Sequence, residues 1–125
     1  MNIKNYINGK FESPINEENI DNYNPAIGNV YGQIPNSSKE DVEKAYQAAN
    51  EAFPKWSDTT LEERSKILSK IAALILEKLN FLAEAESKDN GKPIALAKQV
   101  DIPRAASNFQ FFANAITQFS SEAHE

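Results

Sequence analysis

The stretch Asn36-Ser37-Ser38-Lys39-Glu40-Asp41-Val42-Glu43-Lys44-Ala45-Tyr46-Gln47-Ala48-Ala49-Asn50 decides how this chain is read. Within it the apolar period changes from two to about 3.6, the change from strand to helix. Ser37 with Glu40 three residues later predicts a capping box, in which a hydroxyl and a carboxylate each satisfy an orphan backbone N–H at a helix start. The helix that follows carries Val42, Ala45, Ala49, Ala52 and Phe53 on one face. Pro54 disfavours helical geometry at Phe53, so this helix is expected to end near Lys55-Trp56 at the latest.

Upstream, the pattern predicts two hairpins. Tyr6-Ile7 and Lys10-Phe11 flank Asn8-Gly9, a pair suited to the positive φ angles of a two-residue turn. Ile20 to Tyr23 and Asn29 to Ile34 flank Asn24-Pro25-Ala26-Ile27-Gly28, where proline presets φ and glycine closes the turn. Glu12 to Asn19 is polar and is expected to loop over the surface.

Downstream, Thr60 and Glu63 repeat the capping box and open a second helix with a stripe of Ile67, Leu68, Ile71, Leu74, Ile75 and Leu79. Gly91 is its expected stop, followed by Pro93. Pro103 must kink a last helix or begin a new one with Asp101 as N-cap. Beyond it, Phe109, Phe112, Ala113, Ile116 and Phe119 recur at helical spacing, the mark of a face packed on a core rather than of a cofactor-stacking row. The fold class is therefore an α+β segment: residues 1–36 form the hairpins and residues 37–125 three to four amphipathic helices. No linker or repeat divides it.

Composition bounds the function. A chain of 125 residues with 41% hydrophobic and 25% charged residues is of globular type. Its net charge of -5, with basic and acidic residues interspersed, argues against nucleic acid and against anionic membranes as partners. No run approaches the roughly 18 to 20 apolar residues of a spanning helix, and the opening residues lack a signal-peptide core, so a cytoplasmic location is expected. The absence of cysteine removes disulfides, thiolate ligands and thiolate catalysis together. The single histidine, His124, lies one residue from the end, where a frayed terminus is the ordinary reading. Four glycines form no dinucleotide fingerprint, and no serine or threonine has a base to activate it. Read this way, the chain contains no catalytic or cofactor-binding residue.

Several strings in order resemble the start of the aldehyde dehydrogenase superfamily, from about Asn5 to Phe119. They are Tyr6-Ile7-Asn8-Gly9-Lys10-Phe11, Asn24-Pro25-Ala26-Ile27-Gly28-Asn29-Val30, Ala52-Phe53-Pro54-Lys55-Trp56, Glu62-Glu63-Arg64-Ser65-Lys66-Ile67-Leu68 and Asp89-Asn90-Gly91-Lys92-Pro93. The last is similar to the family's D-x-G-K-P string, the most diagnostic of the set. Ala85 to Asp89, Asp101 to Arg104 and Asn108 to Ala113 are most similar to the branch acting on 2-aminomuconic and 2-hydroxymuconic semialdehydes.

The resemblance implies the outer part of a coenzyme-binding domain without the catalytic domain. In the longer enzyme NAD or NADP accepts a hydride after attack by a cysteine thiolate, and a glutamate activates water; those residues are expected downstream of Glu125. No cofactor is expected on this segment alone. The resemblance carries one site over: a monovalent cation held partly by the Asp89 carboxylate and the Asn22 main-chain carbonyl. Against it stands the reading that Asp89 bonds the turn at Asn90-Gly91 and Asn22 is an ordinary strand residue. Expected partners are the remainder of the dehydrogenase chain or a second copy. The other functional reading is a stand-alone helical interaction module that places its apolar face on a partner.

Overall fold

A computed structural model describes residues 2–118 of the chain. The chain forms two compact units, residues 1–58 and 59–125.

The first unit holds β1 (Asn5–Ile7), β2 (Lys10–Glu12), β3 (Asn19–Asn24), β4 (Asn29–Pro35) and α1 (Lys39–Ser57). β1 and β2 pair antiparallel with Ile7 opposite Lys10, and Asn8 and Gly9 close the turn at φ 49° and 76°. Both expected hairpins are present. In the second, Gly28 sits at φ 70° and donates to the Asn24 carbonyl at 2.8 Å, while the Asn24 side chain accepts from the Ala26 N–H at 3.0 Å. The β3–β4 register slips between Asn22, opposite Gly32, and Tyr23, opposite Val30, leaving Tyr31 as the extra residue of a bulge. Ile3 donates to Gln33 at 2.9 Å, so the N-terminal segment covers part of the β4 edge.

The capping box of α1 is one residue later than expected. Ser38, not Ser37, is the N-cap, and Asp41, not Glu40, reaches back to it. Asp41 wins because its carboxylate also accepts the Ile15 N–H at 3.0 Å, while the Ser37 hydroxyl is engaged by Asn5 at 3.0 Å. The helix also runs through Pro54 to Ser57, past the expected stop. A proline so near the end forfeits one backbone bond only, and the Pro54 carbonyl takes both the Asp58 N–H at 3.2 Å and the Ser57 hydroxyl at 2.8 Å. The expected apolar face of α1 is exposed, Val42 at 64% and Phe53 at 62%.

The second unit holds α2 (Leu61–Glu77), α3 (Leu79–Asn90), α4 (Ile94–Leu96), a π turn (Ala97–Asp101) and α5 (Ile102–Ile116). Thr60 caps α2 as the pattern predicts, with Glu63 completing the box. The single helix expected to reach Gly91 is instead two, broken at Lys78 with φ -95° and ψ 17°. No glycine or proline marks that break. Gly91 does end α3, left-handed at φ 76°.

Asp101 is not an N-cap: it lies in helical geometry inside the π turn and caps nothing. The wide turn has a reason in the side-chain pattern. Ala97, Ile102, Ala106 and Ala113 are the buried residues of this run. An unbroken α-helix would carry Asp101, four residues after Ala97, onto that face; one extra residue in the turn carries Ile102 there instead. Pro103, which has no N–H to give, follows directly.

Small residues line the packing seam. Ala72 of α2 and Ala106 and Ala113 of α5 are buried, and Ala83, Ala97 and Ile102 form a cluster against Ile75, Leu79 and Leu82. The stripe expected to face the core does so only in part: Ala113 is buried and Ile116 half-buried, whereas Phe112 is 61% exposed, with Phe111 edge-on against it at 5.3 Å. Methyl-sized side chains let α2 and α5 approach closely, and the rings of Phe111 and Phe112 fall outside that arc of α5. Phe119 lies outside the described residues.

Candidate functional site

The two residues assigned to a cation lie in different units. Asn22 is the last regular position of β3 before the bulge, and its side-chain amide donates to the Tyr31 hydroxyl at 2.9 Å. Asp89 is exposed in the last turn of α3, one residue before the end of that helix. Among the described residues, no three His, Cys, Asp or Glu side chains gather as a metal cluster. His124 lies outside the described residues.

Next to Asp89 the structure builds a polar knot centred on Lys92. Its Nζ lies 2.6 Å from Asp101 Oδ2 and 3.7 Å from Glu86 Oε1. Asn90 donates to the same Glu86 oxygen at 2.6 Å and accepts the Lys92 N–H at 2.9 Å. The Ser87 hydroxyl donates to the Lys92 carbonyl at 2.6 Å. The Asp101 carboxylate, and to a smaller extent Glu86, holds the Lys92 ammonium above its ordinary pKa against a partial loss of solvent. The knot ties the end of α3 to the π turn. Sequence reading singled out the Asp89–Pro93 string but not this partner, because the π turn alone aims Asp101 at Lys92.

A second polar centre surrounds Asp41 in the first unit. It is 4% exposed and accepts from the Ser38 N–H at 2.9 Å, the Ser38 hydroxyl at 3.1 Å and the Ile15 N–H. The Ser38 backbone N–H is the chief reason its pKa lies below the usual carboxylate range, with Ile15 and Lys44 adding to it and burial opposing. Lys44 also pairs with Glu12 on β2. Both centres hold backbone in place. Each of their charged groups is already matched to a donor or acceptor of the fold, and neither presents a nucleophile with a base beside it.

The remaining feature is an open groove on the α2–α5 pair. Leu76, Pro103 and Phe111 are its larger apolar walls, and Gln110 spans it, donating to Ser69 at 3.3 Å and to Asn114 at 2.9 Å. With the exposed face of α1 it makes the apolar surface of this chain conspicuous for so small a protein.

Comparison with known proteins gives the family. The model of the aldehyde dehydrogenase family matches residues 11–125. The 2-aminomuconic semialdehyde dehydrogenase of Bos taurus is 48% identical over 120 residues, which is 96% of this chain and 24% of the relative. The 2-hydroxymuconic semialdehyde dehydrogenase of Pseudomonas sp. (strain CF600) is 36% identical over 98% of this chain and 26% of its own. Among solved structures, the NAD+ complex of aldehyde dehydrogenase from Bacillus cereus superposes with a TM-score of 0.93 at 35% identity, covering 98% of this chain and 25% of that one. The chain spans about a quarter of the length of the relatives it matches.

Proposed function

The chain belongs to the aldehyde dehydrogenase family, and we propose that it serves as the N-terminal segment of an enzyme oxidising a muconic-type semialdehyde to its carboxylic acid. The observation that carries this reading is the match over nearly the whole chain to semialdehyde dehydrogenases of which it spans a quarter. The hydride acceptor is NAD or NADP, with NAD favoured by the NAD+ complex of the Bacillus cereus relative. Its binding residues are assigned to the rest of the longer enzyme, since this chain has no glycine-rich dinucleotide turn after a strand.

The partner is then the remainder of such a dehydrogenase or, without it, a second copy. Val42 and Phe53 of α1 and Phe111 and Phe112 of α5 support this, being large apolar side chains that their own units leave uncovered. A cytoplasmic location accords with the absence, among the described residues, of a helix long and apolar enough to cross a membrane. Asp89 and the Asn22 carbonyl are retained as cation ligands of the longer enzyme. The negative end of α3 favours a cation at Asp89, and hard cations take carboxylate and carbonyl oxygens.

The test is a chimera joining this chain, after Glu125, to the remaining three quarters of a 2-aminomuconic semialdehyde dehydrogenase. We expect it to reduce NAD with 2-hydroxymuconic semialdehyde, while the 125-residue chain alone reduces none. A folded chimera that is inactive with semialdehydes, or activity of the purified chain alone, would refute the assignment.

A further inference from the structure

The chain contains two Asn-Gly pairs, Asn8-Gly9 and Asn90-Gly91, and the fold treats them in opposite ways. At the β1–β2 turn both residues are exposed, and among the described residues no hydrogen bond engages the Asn8 side chain or the Gly9 N–H. The space around Gly9 is open, with nothing within 4 Å of where a Cβ would stand. At the end of α3 both reacting groups are held. Asn90 Nδ2 donates to Glu86 at 2.6 Å, Asn90 Oδ1 accepts from Lys92 at 2.9 Å, and the Gly91 N–H donates to the Ser87 carbonyl at 3.0 Å.

We propose that Asn8 is a site of spontaneous deamidation in the folded chain and that Asn90 is protected from it. The Gly9 amide nitrogen gives its proton to solvent base and attacks Asn8 Cγ. The new N–Cγ bond closes a five-membered imide, the Cγ–Nδ2 bond breaks, and ammonia leaves with a proton from solvent. Water then opens the imide at one of its two carbonyls, leaving aspartate or isoaspartate at position 8. One water is consumed and one ammonia released, with no oxidant or reductant. The isoaspartyl product lengthens the main chain by one carbon inside a two-residue turn. That shift breaks the pairing of Ile7 with Lys10 and separates the Tyr6 and Phe11 rings, now 5.0 Å apart.

The experiment follows both sites by peptide mapping and mass spectrometry during incubation of the 125-residue chain at mildly alkaline pH, in buffer and in urea. In buffer Asn8 should convert at least about tenfold faster than Asn90, the factor set by a single hydrogen bond that must open before attack. In urea the two rates should converge, because the dipeptides are identical and the protecting bonds are gone. A ratio below tenfold in buffer, or one as large in urea as in buffer, overturns the proposal.

Discussion

Among the described residues, the long helix of the first unit buries a charge where the last helix of the second buries apolar side chains. α1 has one buried residue, Asp41, whereas α5 buries Ile102, Ala106 and Ala113. In the first unit α1 is thus anchored by directional hydrogen bonds converging on a carboxylate, beside the buried Ile7 and Pro14, and in the second α5 is held by close approach of small side chains along a helical seam. Both leave large apolar residues facing outward. An amphipathic face in this chain is therefore buried only in part, as Ile75, Leu79 and Ala113 are while Val42, Phe53 and Phe112 are not.

The contrast can be broken most forcefully at Ile102. Ile102→Ala removes the largest side chain of the buried alanine cluster and should destabilise the second unit by about 2–5 kcal/mol, read as a lower urea midpoint. A fall of less than 1 kcal/mol, within the scatter of ordinary surface changes, would show that the seam is not the source of its stability.

The two polar centres should fail at opposite ends of the pH scale. Asp41 has a lowered pKa, so its contribution is complete above the unfolded carboxylate value of about 4 and is lost as pH falls through the folded value. Lys92 has a raised pKa, so its contribution is complete below about 10.4 and is lost as pH rises through the folded value. Hydrogen exchange across both windows should show the amides of residues 38–42 opening first in acid and those of the π turn first in alkali. The reverse order, or simultaneous opening, would dissolve the distinction between the units.

The smallest expected effect on stability sharpens the comparison. Phe53→Lys should change the urea midpoint by no more than the equivalent of about 0.5 kcal/mol, as befits a largely exposed side chain. The same change should reduce hydrophobic-dye binding and self-association. A large loss of stability would mean that the α1 face is packed after all.

Much of the fold was legible because its signals are local. Asn8-Gly9 and Gly28 demand positive φ, Thr60 and Glu63 need only each other to cap α2, and Gly91 stops α3 by its own conformational freedom. The capping of α1 was legible only to within one residue, since the choice of Asp41 over Glu40 depends on the distant Ile15 N–H. The break at Lys78 carries no residue that would announce it. Of the candidate site, the Asp89–Pro93 string stood out, yet Lys92 and its pairing with Asp101 did not, because nine residues and a π turn separate the partners.

By itself the sequence determined the succession of hairpins and helices, most of their caps and turns, the want of a thiolate, and the family whose strings it carries. Those properties depend on residue type and on spacings within one turn of backbone, which are the same in any surroundings. Tertiary structure alone decided that Ala72 and Ala106 join the expected Ala113 in the seam while Phe112 stays out of it, and that the helix widens before Pro103 so that Ile102 enters it and Asp101 meets Lys92. Periodicity identifies an apolar stripe, but which arc of it is buried depends on how closely a second helix can approach, and that distance is set by the volumes on both sides of the contact.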